Sequence, residues 1–83
     1  MKKYQCTLGA LRLSLRETAD PNTFNVRVTA KPADPFQQAL TIRPGTILGL
    51  RRRGADTRFV KVRVFAPRLR YGKLIAGGLA TVE

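Results

Sequence analysis

Histidine and tryptophan are absent from the 83 residues, and serine, cysteine and methionine occur once each, as Ser14, Cys6 and Met1. Acidic groups are scarce, with five Asp and Glu against sixteen Lys and Arg, a net charge of +11. Each scarcity excludes some chemistry. Ser14 has no histidine to take its proton, so a serine-nucleophile triad is excluded. The five carboxylates are scattered, no two closer than three residues, so no acid cluster is offered to a divalent cation. Neither a Walker pattern nor a strand–GxGxxG–helix unit occurs. The expectation is a protein that is not an enzyme, with no cofactor and no metal site.

One cysteine cannot form a disulfide within the chain. Cys6 lies in an alternating stretch and is expected to act as a small buried hydrophobe rather than a reactive thiol. Long apolar runs are missing as well. Met1-Lys2-Lys3 matches the charged opening of a signal peptide, but Tyr4 to Ala10 is short and interrupted by Gln5 and Thr7. Leu74 to Ala80 falls far short of the ~18–20 residues needed to cross a bilayer. The reading is a protein neither secreted nor transmembrane, cytoplasmic or held within an assembly such as a virion. A membrane partner is not expected, since no basic amphipathic helix is visible.

The chain is one domain over residues 1–83, and at this size only ~60–65% of the unfolded chain's surface is buried, which leaves little for a deep cleft. Period-two alternation dominates, the mark of half-buried strands. Tyr4, Cys6 and Leu8 alternate with polar residues, and so do Leu11, Leu13 and Leu15, with the parity switching at Gly9-Ala10. A type II′ hairpin would pair Leu8 with Leu11, Cys6 with Leu13 and Tyr4 with Leu15, and one long bulged strand is the alternative. Asp20-Pro21-Asn22 suits a turn before the run Phe24, Val26, Val28, Ala30. Pro32 to Pro35 reads as a loop, and Phe36 to Ala39 as one helical turn or an irregular edge. Leu40-Thr41-Ile42 reads as a short strand ending at Arg43-Pro44-Gly45-Thr46, a turn. Leu48 and Leu50 are expected to pair with Val62 and Val60 around the loop 53–57. Pro67 is expected to end the following strand, Arg68 to Ile75 to form another that is interrupted near Gly72, and Gly77-Gly78 to mark a turn or bulge before Leu79 to Val82. Six or seven short strands make an all-β fold, a small antiparallel barrel or sandwich.

The charge is uneven. Residues 51–73 hold nine basic groups and only Asp56, net +8, whereas residues 1–50 carry net +4. The acids fall in or beside turns or at the terminus, which leaves strand faces basic without acids across the ladder. Like charges opposite one another on a sheet are destabilising, so such faces point to an anionic partner. On Arg58 to Phe65, three valines alternate with Phe59, Lys61, Arg63 and Phe65. Rings interleaved with cations on one strand face form a platform on which single-stranded bases stack while cations meet phosphates. The same rings serve equally as packing or oligomer contacts. Arg51, Arg53 and Arg58 stand beside this strand, and Arg68, Arg70, Tyr71 and Lys73 extend it. Arginine outnumbers lysine eleven to five, and its planar fork suits phosphate and bases. The expected function is binding of nucleic acid, single-stranded RNA or DNA, through Arg51, Arg53, Arg58, Lys61, Arg63, Arg68, Arg70 and Lys73, with Phe59, Phe65 and Tyr71 stacking. The rival is a basic structural or adaptor protein docked on an acidic protein partner. A homo-oligomer is compatible with either.

Gly49-Leu50-Arg51-Arg52-Arg53-Gly54-Ala55-Asp56-Thr57-Arg58-Phe59 is similar to a stretch of the trp RNA-binding attenuation proteins. Those are all-β subunits that form rings and wrap single-stranded RNA around the rim. The resemblance implies an oligomeric, basic, RNA-binding β protein. It covers eleven of the 83 residues, and the residues after Phe59 depart from the family's pattern, so no site position is transferred.

Overall fold

A computed structural model describes residues 2–30, 33–50 and 57–83. Six antiparallel strands, β1 (Lys3–Leu8), β2 (Leu11–Glu17), β3 (Thr23–Ala30), β4 (Ile47–Leu50), β5 (Arg58–Arg70) and β6 (Lys73–Val82), form one sheet in the order β1-β2-β3-β6-β5-β4. The edges β1 and β4 come together, so the sheet is a nearly closed barrel. The all-β expectation holds, and of its two architectures the barrel is the one formed.

The first hairpin follows its alternation. Gly9 takes φ 59° while Ala10 stays in the ordinary region, as a II′ turn requires, and the pairs Leu8↔Leu11, Cys6↔Leu13 and Tyr4↔Leu15 all form. At the next turn the Asp20 carboxylate accepts from the Asn22 amide at 2.9 Å and the Thr23 hydroxyl at 2.9 Å. These two bonds, the amide first, hold the Asp20 carboxyl below its ordinary value. Leu13, Leu15, Phe24, Leu50, Val60 and Val62 are fully buried, each worth about 1.5–3 kcal/mol of burial. Tyr4 meets Phe24 edge-on at 5.8 Å.

Three local expectations are corrected. The segment Leu40-Thr41-Ile42 is not a strand. Leu40 closes a short helix, α1 (Pro35–Leu40), capped by Asp34, whose carboxylate accepts from the Gln37 amide at 3.3 Å. α1 packs on β2, β5 and β6 and contributes Ala39 to the core, with Ile42 just beyond it. The β4–β5 register is shifted by two, pairing Leu48 with Val60 and Leu50 with Arg58. An even shift keeps the apolar faces together, so the pattern tolerates it. Pro67 does not end its strand, and β5 runs on to Arg70. β4 pairs with β5 only as far as Lys61, so Pro67 meets a ladder on the β6 side alone, where an edge position tolerates it.

Gly77-Gly78 lies inside β6, just past the point where β5 carries a bulge opposite Leu79 and Ala80. The register steps from Val62↔Ala80 to Val64↔Leu79, leaving Arg63 as the extra residue. A Cβ on Gly78 would stand 2.0 Å from the Val64 carbonyl oxygen. Only glycine lets the two backbones approach this closely. Gly78→Ala is expected to cost about 1–3 kcal/mol or more, read as a fall in the urea midpoint.

Cys6 is half-buried against the core, and this burial pushes its thiol from 9.0 up to about 11. The fold therefore favours the neutral thiol, and the contribution is intact below the unfolded thiol's pKa and lost as pH rises through 11. Between pH 9 and 11 the urea midpoint of the native protein should fall more steeply than that of Cys6→Ala. Parallel curves would remove the thiol from the account.

Candidate nucleic-acid interface

Strand β5 has thirteen residues, about 40 Å if straight, and the molecule's longest extent is 37 Å. A strand of this length is comparable with the longest extent of the molecule. Before the bulge, Val60 and Val62 point into the core while Phe59, Lys61 and Arg63 point out. Phe59 is 52% exposed and lies over Gly49 of β4, 3.6 Å from where a Cβ would be. The Arg63 Nε–H donates to the Thr81 hydroxyl at 2.7 Å, which fixes the guanidinium above β6.

Past the bulge the parity reverses. Val64 turns outward and Phe65 turns inward, half-buried against the core. Phe65 therefore does not share the face of Phe59, Lys61 and Arg63, contrary to the alternation read from the sequence. The same reversal brings Arg68 and Arg70 onto the outer wall. Arg68 faces Ile75 and Arg70 faces Lys73 across the β5–β6 ladder. Without the extra residue both arginines would point inward. Arg58 is placed apart from this wall. It stands opposite Leu50 at the barrel end, with its guanidinium 6.0 Å from the Phe24 ring centroid. Arg51 and Arg53 lie outside the described residues.

Tyr71 and Gly72 form the tip of the β5–β6 hairpin, both with positive φ, 53° and 73°. A type I′ turn demands this conformation and prefers Asn-Gly. Tyrosine there is strained, and its ring is 91% exposed, with the Arg70 guanidinium 5.7 Å from the ring centroid. The hairpin is anchored by Leu74, which is buried in the core cluster.

A second set of cations escaped the sequence reading because it is spread over three strands. Lys3, Arg16 and Arg27 line a surface depression of about 520 Å³ on the outer wall of β1, β2, β3 and β6, together with Ser14, Asn25 and Gly77. The signal lies in the polar half of each alternation, one or two bases per strand, and becomes a cluster only when the strands pair. The carboxylates nearby are engaged elsewhere. Glu17 accepts from the Lys2 amide at 3.4 Å and the Tyr4 hydroxyl at 3.2 Å, Asp20 closes its own turn and Asp34 caps α1.

Among the described residues no group of three or more Cys, Asp and Glu could hold a metal ion, and no helix is long and apolar enough to cross a membrane. Compared with known proteins, the chain matches no family model, no curated protein and no solved structure. The eleven-residue likeness at 49–59 accordingly transfers no functional residue.

The left-handed Tyr71 costs about 1–2 kcal/mol, offset by about 0.5–1 kcal/mol of cation–π attraction. Tyr71→Asn is expected to keep the fold and raise the Tm by roughly 2–6 °C. An unchanged or lower Tm would show that the tyrosine stabilises the turn.

Proposed function

We propose that this protein is a small basic nucleic-acid-binding barrel that favours single-stranded RNA or DNA. The observation that carries the reading is the outer wall of β5 and β6. There Phe59, Lys61, Arg63, Arg68, Arg70 and Lys73 share one face, with Tyr71 exposed at its end. Cations along such a wall meet phosphates, and Phe59 and Tyr71 offer ring faces on which any base can stack, worth ~1–3 kcal/mol each. Single strands are favoured over duplex because the described helix is six residues long and has no basic residue. Its size and sequence suit it to capping the barrel rather than entering a major groove.

A second reading, docking on an acidic protein, draws on the aliphatic residues of the same wall. Val64, Ile75 and Leu79 are 53%, 53% and 41% exposed, an arrangement suited to anchoring an interface ringed by arginine. A second copy of the chain could occupy the same residues, which light scattering tests directly.

The primary test is fluorescence anisotropy with labelled single-stranded RNA, single-stranded DNA and duplex DNA at low and moderate salt. The expected result is micromolar or tighter binding, a preference for single strands and a steep salt slope. Lys61→Glu with Arg63→Glu, and separately Arg70→Glu with Lys73→Glu, should abolish it. Unchanged affinity in both folded double variants overturns the reading. Weak binding equal across the three forms and gone by moderate salt also overturns it and shifts weight to the acidic-protein partner.

A further inference from the structure

Resting on that reading, we infer that the depression on β1, β2 and β3 is a phosphate track, through which the backbone of a longer single strand is held by Lys3, Arg16 and Arg27. The register sets the spacing. Lys3 stands directly opposite Arg16, and Arg16 faces Asn25 while Ser14 faces Arg27, so Arg16 and Arg27 are diagonal neighbours. Diagonal positions on one face lie about 7–8 Å apart, within reach of one phosphodiester. Three cations side by side repel, and the wall between them carries Ser14 and Asn25 rather than an acid. An anionic ligand relieves this repulsion.

The floor of the depression gives the second, independent argument. Gly77 faces Arg27 on one side and Ala66 on the other. Its φ is not in the left-handed region, and the nearest atom to an added Cβ is the Val26 carbonyl oxygen at 3.7 Å, ordinary contact. The fold thus needs glycine at Gly78 and not at Gly77, where a β-branched residue is the usual strand choice. What the bare position provides is open space between the cations, where a backbone can approach closely. The row Arg27, Gly77, Ala66 leads from this space onto the wall of β5. The depression is half open and about 520 Å³, with room for a stretch of chain rather than for one small anion alone.

The test pairs chain length with two kinds of variant. Oligothymidylate and oligouridylate, as tetramer and as dodecamer, fall at the lower end and well inside the roughly 4–16 nucleotides that known single-strand-binding barrels occupy. Arg16→Gln with Arg27→Gln removes charge. Gly77→Val fills the floor without changing charge, and both variants should keep the native circular dichroism and Tm. For the dodecamer, the charge variant should lower the salt slope by about 1.4, at about 0.7 per phosphate contact on a single strand. Gly77→Val should weaken the dodecamer and leave the tetramer unchanged. If the dodecamer binds both folded variants as it binds the native protein, while the Arg70→Glu with Lys73→Glu variant loses it, the track is wrong and the proposed function stands. If the native protein binds neither length, both fall together. Pyrophosphate is the small-anion control. Binding of pyrophosphate that depends on Arg16 and Arg27, with no such dependence for the dodecamer, overturns the track in favour of a small-anion site.

Discussion

The close approach of the Gly78 backbone to the Val64 carbonyl decides what the longest strand presents to solvent. It accommodates one extra residue, Arg63, and that residue reverses the inward and outward sets for the rest of β5. In an unbroken strand, Phe65 and Leu69 would stand outside with Lys61 and Arg63, and Arg68 and Arg70 would point at the interior. The bulge hands Phe65 to the core and returns both arginines to the wall. A packing device at one glycine therefore sets the continuity of charge along β5.

Charge segregation is the second constraint. The carboxylates Glu17, Asp20 and Asp34 are committed to a strand end, a turn and a helix cap. Each accepts from backbone or hydroxyl donors at the end of an element. Among the described residues, most bases stand on the strands between those ends. Neutralising them with strand acids would be the simpler route to stability, since opposite charges across a ladder help and like charges harm. The arrangement gives up that stabilisation around the barrel, most plainly at Lys3 opposite Arg16 and Arg70 opposite Lys73.

How much of this was legible depends on where each cause lies in the chain. The first hairpin was fully readable, because Gly9 and the parity switch beside it are local. The β4–β5 register was readable only to within two residues, since an even shift preserves the buried face. The helix at Pro35–Leu40 was half visible in Phe36 to Ala39, which read as one helical turn or an irregular edge, while Leu40 and Ile42 had the spacing of a strand as well as of a helix end. The bulge was not readable from β5. Its enabling residue, Gly78, is fourteen positions beyond Val64, and the pairing that joins them is tertiary. The Lys3, Arg16 and Arg27 cluster was hidden for the same reason. No segment is dense in charge there, and only the order β1-β2-β3 makes neighbours of the three. Tyr71 was named as a stacking candidate, but its left-handed backbone could not be inferred, because the sequence rule expects asparagine at that turn position.

The interior bears on function by being full. Six strands of this size close around their own side chains, and Leu13, Leu15, Phe24, Val60 and Val62 leave no accessible surface between them. α1 packs across β2, β5 and β6 and adds Ala39 to the same cluster. Small barrels hold ligands inside only when the interior is left open, as wider ones do. On the proposed function, recognition falls to the outer wall. A wall offers no enclosure, so affinity there would come from many weak contacts along an extended partner rather than from a few strong ones around a small molecule. A repeating polyanion supplies such contacts at regular intervals, and a wall with cations at both ends of β5 and across β1 to β3 is suited to meet them.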